Sequence, residues 1–174
     1  DDLLQGGGGN ILAGGKGDDL LQGGGGDDIL DGGEGSDTAS YSEVAEAAAT
    51  GHTVTVDLGK AGEQDTGLAT GKDTLTDIEN LTGSDFNDWL TGDDGDNVIL
   101  GGAGDDVLDG GGGVDTVSYA SAGAGVTIDL TNTTTGQNTG GAGTDLLANF
   151  ENITGSAFND ILVGNDADNI LDGG

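Results

Sequence analysis

The sequence predicts an all-β solenoid, in which short strands stack along a single axis. The first observation is a nine-residue repeat, G-G-x-G-x-D-x-(apolar)-x, found at residues 14–22, 23–31, 32–40, 101–109 and 110–118. The second is that the apolar position recurs in register with the glycines. The third is that two longer segments between the repeat runs match each other. Self-similarity at a short, fixed period is typical of stacked repeat architectures, and each repeat supplies a glycine turn followed by a strand of about three residues.

The chain divides into five parts, taken in order. We expect a partial nonapeptide module at 1–40, a wider segment with a loop at 41–82, a nonapeptide module at 83–118, a second wider segment at 119–154, and the start of a third module at 155–174. All five are expected to form one continuous solenoid. The first residues fall in the middle of a repeat and the last two open another, so we expect a piece of a longer chain.

Within the wider segments, alternating residues predict strands at 53–58 and 126–130. The Gly/Thr/Asn-rich stretches 60–72 and 131–144 are predicted to be loops, and a short helical turn is predicted at 45–49. In the nonapeptide runs, an internal apolar ladder is expected from Leu21, Leu30, Leu90, Ile99, Leu108, Leu162 and Leu171. That core is thin for a glycine-rich chain, which loses more entropy on folding than most, so we expect a further stabilising contribution.

Composition excludes several classes of function. The chain has 33 acidic and three basic residues and a formal net charge of -30. This charge opposes compaction, and it disfavours nucleic acid or anionic membrane as partners because both need Lys and Arg. The absence of cysteine excludes disulfides and thiolate metal sites, and no apolar run is long enough to span a membrane.

The same composition leaves two states open. Low aromatic content, 39 glycines and high charge are typical of a disordered acidic chain. The apolar residues in register with the glycines favour a folded one. Because multivalent cations would cancel the charge, the chain can be disordered without metal and folded with it.

An acidic or amide side chain recurs at the sixth position of the repeats, except that the repeat at 6–13 is one residue short and carries Asn10 in that place. These residues are Asp2, Asn10, Asp19, Asp28, Asp37, Asp88, Asn97, Asp106, Asp115, Asp160 and Asn169. The spacing by itself shows only that these groups are in register along the chain. The aspartates one place earlier, Asp18, Asp27 and Asp105, are expected to face solvent.

These repeats resemble the RTX (repeats-in-toxin, or haemolysin-type) calcium-binding family over nearly the whole chain. The resemblance implies a right-handed parallel β-roll, with two nonapeptides per coil and several Ca²⁺ ions between neighbouring turns. Turns two repeats apart would then lie on the same side, which pairs Asn10 with Asp28, Asp19 with Asp37, Asp88 with Asp106 and Asn97 with Asp115. Calcium takes six to eight oxygen ligands, which carboxylates and turn carbonyls would supply. The metal-site residues that the resemblance implies are Asp2, Asn10, Gly14, Gly17, Asp19, Gly23, Gly26, Asp28, Gly32, Gly35, Asp37, Asp88, Asn97, Gly101, Gly104, Asp106, Gly110, Gly113, Asp115, Asp160 and Asn169.

Some positions depart from the strict motif. Asn10, Asn97 and Asn169 bring no charge, so these turns are expected either to bind calcium weakly or to be hydrogen-bonded turns without metal. A second group recurs in both wider segments: Asp57, Asp129, Glu79 and Glu151. Its members are predicted either to bind extra ions or to act at strand edges and caps.

The resemblance implies a non-enzymatic function. His52 is the only histidine and supports no catalytic constellation, and Trp89 is expected to point outward from a strand. The favoured hypothesis is a structural calcium-binding repeat region of a large secreted or cell-surface bacterial protein, such as an adhesin, surface-layer protein or extracellular fibre. Such a chain would leave the cell by type I secretion and fold in extracellular calcium. Its partners would be calcium ions, flanking repeats and, through end-to-end self-assembly, further copies.

Two alternatives remain. The first is the calcium-binding C-terminal repeat region of a type I-secreted enzyme or toxin whose catalytic domain is absent from this sequence. The alternation of short repeat runs with wider segments favours the structural hypothesis over this one. The second is an ice- or polysaccharide-binding face, which the irregular spacing of the threonines disfavours.

Overall fold

The computed structural model describes residues 1–44, 54–67 and 70–174, and this part of the chain contains nineteen strands and no helix. The strands are β1 (Leu3–Gln5), β2 (Ile11–Lys16), β3 (Leu20–Gln22), β4 (Ile29–Glu34), β5 (Thr38–Ser40), β6 (Thr55–Asp57), β7 (Gln64–Gly67), β8 (Gly71–Thr76), β9 (Asn80–Thr82), β10 (Trp89–Thr91), β11 (Val98–Leu100), β12 (Val107–Asp109), β13 (Thr116–Ser118), β14 (Thr127–Asp129), β15 (Gln137–Asn138), β16 (Thr144–Ala148), β17 (Asn152–Thr154), β18 (Ile161–Val163) and β19 (Leu171–Asp172). The predicted helical turn at 45–49 and His52 lie outside the described residues.

One eight-stranded parallel sheet runs through the whole structure, in the order β1-β3-β5-β9-β11-β13-β17-β19. Within the second repeat run, Val98 pairs with Thr116, two nonapeptides further on. Across the first wider segment, Thr38 pairs with Asn80 in the same register. The wider segments therefore insert extra chain without interrupting this sheet.

The other strands form three separate sheets, ordered β2-β4-β8-β7, β6-β10-β12-β16-β15 and β14-β18. We call each turn with the short strand that follows it a rung. One sheet ends and the next begins at each wider segment. In the first wider segment, β8 pairs with β4 of the preceding rung, whereas β6 pairs with β10 of the following rung. Apart from two short antiparallel pairs, β7–β8 and β15–β16, the strands pair in parallel. The described residues therefore form an all-β structure of mainly parallel sheets consistent with a β-roll.

The prediction of plain loops at 60–72 and 131–144 was wrong in part. The first stretch contains β7 and the start of β8, which pair antiparallel, and the second contains β15 and the first residue of β16, which do the same. Threonine favours extended structure, and a short antiparallel partner satisfies the backbone groups of an otherwise open strand edge.

In each wider segment, a glutamine side chain forms two hydrogen bonds with the backbone of a strand residue. Gln64 accepts a hydrogen bond from the Asp57 amide at 2.9 Å and donates one to the Asp57 carbonyl at 3.2 Å. Gln137 makes the same two bonds with Asp129, at 2.7 and 3.3 Å. The side-chain amide thus stands in for a neighbouring strand.

The core is one cluster of buried apolar side chains, many of which are the middle residue of a three-residue strand. The buried members of the predicted ladder are Leu21, Leu30, Leu90, Ile99 and Leu108. Leu162 is half-buried. The prediction for Leu171 was wrong, because it is 43% exposed on β19, the last strand of its sheet. Trp89 points outward as expected and is 60% exposed.

Candidate metal-binding turns

Each G-G-x-G-x-D turn follows a path that only glycine adopts easily. The second glycine has φ between 85° and 106° in the five turns that begin at residues 14, 23, 32, 101 and 110, and this left-handed region disfavours a Cβ atom. Packing adds a second constraint, because a Cβ on Gly33 would collide with the Gly15 carbonyl oxygen of the preceding turn. Turns two repeats apart are therefore stacked backbone against backbone.

The sixth-position side chains form a buried ladder along the stacked turns. In four pairs of stacked turns, one carboxylate oxygen of the later aspartate accepts the backbone N–H of the residue eighteen positions earlier. Asp37 Oδ1 lies 2.7 Å from the Asp19 nitrogen, and Asp106 Oδ1 lies 2.9 Å from the Asp88 nitrogen. The bonds from Asn10 to Asp28 and from Asn97 to Asp115 have the same form. The four predicted pairs are therefore brought together.

The second carboxylate oxygen distinguishes five of these aspartates from the rest. The Oδ2 atoms of Asp19, Asp28, Asp37, Asp106 and Asp115 are buried and have no hydrogen-bond partner in the described part of the chain. An ionised carboxylate can only accept, and leaving one of its oxygens buried without a donor is costly. These five atoms are the ones that a cation would satisfy.

The surroundings of these atoms contain further oxygens. A Cβ placed on Gly14 would collide with Asp19 Oδ2 and would lie 2.8 Å from the Gly32 carbonyl oxygen. At Gly110 the Asp115 carboxylate, 2.7 Å from the Cβ position, and the Asn149 carbonyl converge in the same way. The first glycine of each turn thus leaves room where a carboxylate and a carbonyl from the next rung meet, an oxygen-only donor set that suits calcium.

Among the described residues, the lysine ion pairs lie away from these carboxylates. Lys16 pairs with Glu34 and Lys72 with Glu63, both on the surface, and the terminal amine of Asp1 lies 3.7 Å from Asp19 Oδ1. Within residues 1–44, 54–67 and 70–174, no three His, Cys, Asp or Glu side chains converge closely enough to hold a metal by themselves. Backbone carbonyls must therefore supply much of any ligand set.

Burial raises the pKa of the unpartnered groups where the shift is resolved. Loss of hydration is the main cause for both Asp106, whose pKa rises to about 8, and Asp115, whose pKa rises to about 6. Neighbouring carboxylates raise both values further, while hydrogen bonds from the backbone lower them. A divalent cation would reverse this balance by favouring the ionised form.

Two ladder aspartates are satisfied by serine instead. Ser84 donates its backbone N–H to Asp88 Oδ2 at 2.6 Å, and its hydroxyl lies 3.0 Å from each carboxylate oxygen. Ser156 donates to Asp160 from its backbone at 2.8 Å and from its hydroxyl at 2.7 Å. Serine stands where the double-glycine turns have their second glycine.

The asparagine turns are satisfied by their own amides. Asn97 accepts the Asp93 N–H at 2.9 Å and donates to the Glu79 carbonyl at 2.7 Å. Asn169 donates to the Glu151 carbonyl at 2.7 Å. Asn10 makes longer contacts to the Asp28 carboxylate and the Gly23 carbonyl, at 3.3 and 3.4 Å.

Sequence reasoning missed the ladder residues of the wider segments, Asp73 and Asp145. Asp73 Oδ1 accepts the Asp28 N–H at 3.0 Å, while its Oδ2 accepts hydroxyl protons from Tyr41 at 3.1 Å and Thr66 at 2.9 Å. For Asp73 the available signal was the D-x-(apolar) ending at residues 73–75, which matches the end of a repeat. For Asp145 it was stronger, because residues 140–148 carry the complete G-G-x-G-x-D-x-(apolar)-x pattern.

Asp145 repeats this arrangement in the second wider segment. Its Oδ1 accepts the Asp106 N–H at 3.0 Å, its Oδ2 accepts the Tyr119 hydroxyl proton at 2.9 Å, and Thr139 bonds to the same carboxylate. Burial raises the pKa of Asp145 to about 6, against the lowering effect of these hydrogen bonds. Burial and the adjacent carboxylates raise the pKa values of both tyrosines well above their ordinary value.

Two glutamates of the wider segments accept the N–H groups of ladder aspartates. Glu79 accepts the Asp37 N–H at 2.8 Å and Glu151 accepts the Asp115 N–H at 2.9 Å, so both cap a rung as one of the two predictions had it. Asp129 bonds to Thr131 instead, which lowers the pKa of the Asp129 carboxyl.

The remaining acidic residues lie outside the ladder. Asp2 is exposed and contributes its N–H to Asp19. Asp18, Asp27 and Asp105 face solvent as predicted.

The comparison with known families agrees with the position of these turns. Residues 4–39, 82–117 and 148–174, more than half of the chain, match the family described as RTX calcium-binding nonapeptide repeat (4 copies). All five unpartnered aspartates fall within the first two of these stretches. No curated protein matches the chain. The described residues contain no helix with the length and hydrophobicity that a membrane span requires.

Proposed function

Because this chain belongs to the RTX calcium-binding nonapeptide repeat family, whose repeats bind calcium ions, we propose that it is a structural region that folds on meeting extracellular calcium. The full fold would be a right-handed parallel β-roll. The host would be a secreted or cell-surface bacterial protein of the adhesin, surface-layer or fibre type. The observation that carries the proposal is the set of five buried carboxylate oxygens without a hydrogen-bond partner.

The chain itself provides the frame for these sites. The ladder hydrogen bonds fix one oxygen of each aspartate, and the glycine turns bring backbone carbonyls toward the other. Bound calcium supplies positive charge and a demand for six to eight oxygens. In its absence, five buried carboxylates and a formal charge of -30 oppose folding. In its presence, the binding free energy becomes folding free energy.

The calcium concentration that such sites need supports an extracellular setting. Extracellular calcium modules have dissociation constants of about 10⁻⁴ to 10⁻³ M. A chain with such sites stays unfolded in a cytosol with little free calcium, which suits export through a type I channel, and folds outside.

The continuous sheet supports a structural role. Eight parallel strands about 4.8 Å apart extend over roughly 34 Å, and the wider segments leave this sheet intact. Both of its edge strands, β1 and β19, present unpaired backbone groups in the described part of the chain. Flanking repeats, or other copies assembled end to end, would pair with them.

The proposal is tested by titrating the chain with calcium from a chelator solution while far-ultraviolet circular dichroism is recorded. A cooperative transition from coil to β structure near millimolar calcium is expected. Magnesium at the same concentration is the control and should have little effect, because it prefers a smaller, octahedral and partly hydrated site. A chain that is already folded in chelator and unchanged by calcium would contradict calcium-dependent folding.

A further inference from the structure

We infer that the outer face of β6, β10 and β12 is a docking site for an arginine-bearing, basic segment of a partner protein, with Trp89 at its centre. This inference goes beyond the proposed structural role, because it concerns the outer face of a sheet and not the turns. Trp89 is the only tryptophan of the chain and is 60% exposed.

Trp89 belongs to a row of outward residues that runs across neighbouring strands. It pairs in register with Thr55 of β6 and Val107 of β12, and Val107 pairs with Leu146 of β16. Thr55 is exposed, while Val107 and Leu146 are half-buried. The tryptophan is therefore part of a small continuous surface with apolar character, and not an isolated apolar side chain of the kind that needs no explanation.

Carboxylates flank the tryptophan on both neighbouring strands. Two residues further along the strands, a second outward row consists of Asp57, Thr91 and Asp109. Strands lie about 4.8 Å apart and residues rise about 3.3 Å along a strand, so the Cα atoms of both aspartates are roughly 8 Å from that of Trp89. Aromatic and long side chains reach across such a diagonal.

Both carboxylates are free to accept hydrogen bonds from a ligand. Neither has a basic partner in the described part of the chain. The Asp57 side chain accepts no hydrogen bond from the described residues. Asp109 accepts with Oδ1 alone, from the Gly111 N–H at 3.1 Å and the Asn149 amide at 2.7 Å. Because an ionised carboxylate only accepts, a matching ligand must bring donors.

Charge and side-chain chemistry together select the partner. A formal charge of -30 attracts basic partners and repels acidic ones. Arginine fits both rows of the surface, because its planar guanidinium stacks on a tryptophan ring and donates paired hydrogen bonds to a carboxylate. A guanidinium stacked on Trp89 has Asp57 on one side and Asp109 on the other.

The third module contains an equivalent surface without the aromatic ring. Ile161 takes the place of Trp89 and is 61% exposed, and β18 pairs with β14, where Asp129 takes the place of Asp57. The chain therefore contains a carboxylate at the same position of a strand, beside an aliphatic side chain, which serves as an internal control for charge alone.

The first experiment titrates the calcium-folded chain with a short peptide of alternating arginine and alanine. Because Trp89 is the only tryptophan, its fluorescence emission reports the contact directly and is expected to change on binding. The control peptide has citrulline in place of arginine, which keeps the shape without the charge, and should leave the emission unchanged. Absence of peptide binding, or binding without an emission change, would overturn the inference.

The second experiment uses calorimetry in saturating calcium to compare two double variants of equal net charge. Asp57→Asn with Asp109→Asn is expected to weaken peptide binding about fivefold or more. Asp31→Asn with Asp129→Asn, on the same sheet position of other rungs, is expected to change it less than about twofold. Trp89→Ile should weaken it roughly two- to fivefold. Equal losses in the two double variants would overturn the inference, because general charge attraction would then explain binding. Circular dichroism in calcium checks that each variant folds.

Two other occupants of this surface give different results. An emission change with cellohexaose, a neutral oligosaccharide, and none with the arginine peptide would assign the surface to a glycan. A dimer seen by sedimentation that Trp89→Ile abolishes, without peptide binding, would assign it to a second copy. Either result would overturn the inference. A chain that calcium does not fold would contradict the proposed function instead.

Discussion

Two rungs that stack directly on one another handle the same buried carboxylate in different ways. In rung 101–106, Asp106 leaves one oxygen without a partner, whereas in rung 140–145 the equivalent oxygen of Asp145 accepts the Tyr119 hydroxyl proton. The two rungs share a hydrogen bond and a core contact, because Asp106 N–H donates to Asp145 and Leu108 pairs with Leu147. Burial raises both pKa values, to about 8 for Asp106 and to about 6 for Asp145.

The difference shows that this fold satisfies its ladder in two interchangeable ways. Hydroxyl groups from the wider segment perform inside the chain the role that we assign to calcium in the nonapeptide turns. A hydroxyl-satisfied rung is complete at any calcium concentration, whereas a rung with an unpartnered carboxylate oxygen is not. The wider segments therefore divide the calcium-dependent turns into two groups, separated by rungs whose polar groups the chain satisfies alone.

Calcium removal is expected to have the largest effect and to act unequally on the two kinds of rung. Calcium at one hundred times the dissociation constant of a site contributes roughly 2.7 kcal/mol to stability. The turns with an unpartnered carboxylate oxygen lose this contribution in chelator. The N–H of Asp88, which donates to Asp106, should lose protection from hydrogen exchange more than the N–H of Asp106, which donates to Asp145. Hydrogen exchange read by NMR during stepwise chelation measures both amides, and equal loss at the two positions would contradict the comparison.

Truncating the buried leucine of either rung should lower the stability by a similar amount. Leu108 and Leu147 are each 1% exposed and pair with each other across the two rungs. Leu108→Ala and Leu147→Ala are each expected to lower the free energy of unfolding by about 2–5 kcal/mol. Urea unfolding in saturating calcium measures both values. A much smaller loss for Leu147→Ala would mean that the two rungs differ in packing as well as in their polar groups.

The nonapeptide frame made most of the regular part predictable. The spacing of Asp19 and Asp37 placed them in neighbouring turns, and their hydrogen bond confirms that pairing. The alternation at 126–130 correctly indicated a strand, which the structure has at Thr127–Asp129. These features depend on local sequence and on a constant period, so the sequence alone carries them.

The wider segments could not be predicted to the same degree, because their ladder depends on partners far apart in sequence. Asp73 is satisfied by Tyr41, 32 residues earlier, and no fixed period connects the two. The left-handed residues Asp77 and Asn149, with φ of 48° and 55°, replace glycine where the wider segments rejoin the regular turns.

Removing the tyrosine hydroxyl should weaken the wider rung without changing calcium binding. Tyr119→Phe keeps the ring and leaves Asp145 Oδ2 with one donor fewer. Loss of a buried hydrogen bond to a charged group is expected to lower the free energy of unfolding by about 1.5–3 kcal/mol, with the number of bound calcium ions unchanged. Tyr41→Phe is the matched variant in the first wider segment and should behave alike. A calcium stoichiometry that changes with Tyr119→Phe would assign the tyrosine to a metal site.

The smallest expected effect is a pH dependence that differs between the two rungs. Both folded-state pKa values lie above the ordinary value of about 3.9 for an unfolded aspartate. In chelator, the stability linked to these carboxyls is therefore fully present below about pH 4. It is lost as pH rises through about 6 for Asp145 and about 8 for Asp106.

Calcium favours ionised Asp106, so in calcium only the loss of stability near pH 6 should remain. Thermal unfolding at pH 4.5, 6 and 8, with and without calcium, separates the two steps. A loss near pH 8 that persists in saturating calcium would show that Asp106 does not face the metal, because a bound cation would hold this carboxyl ionised throughout that range.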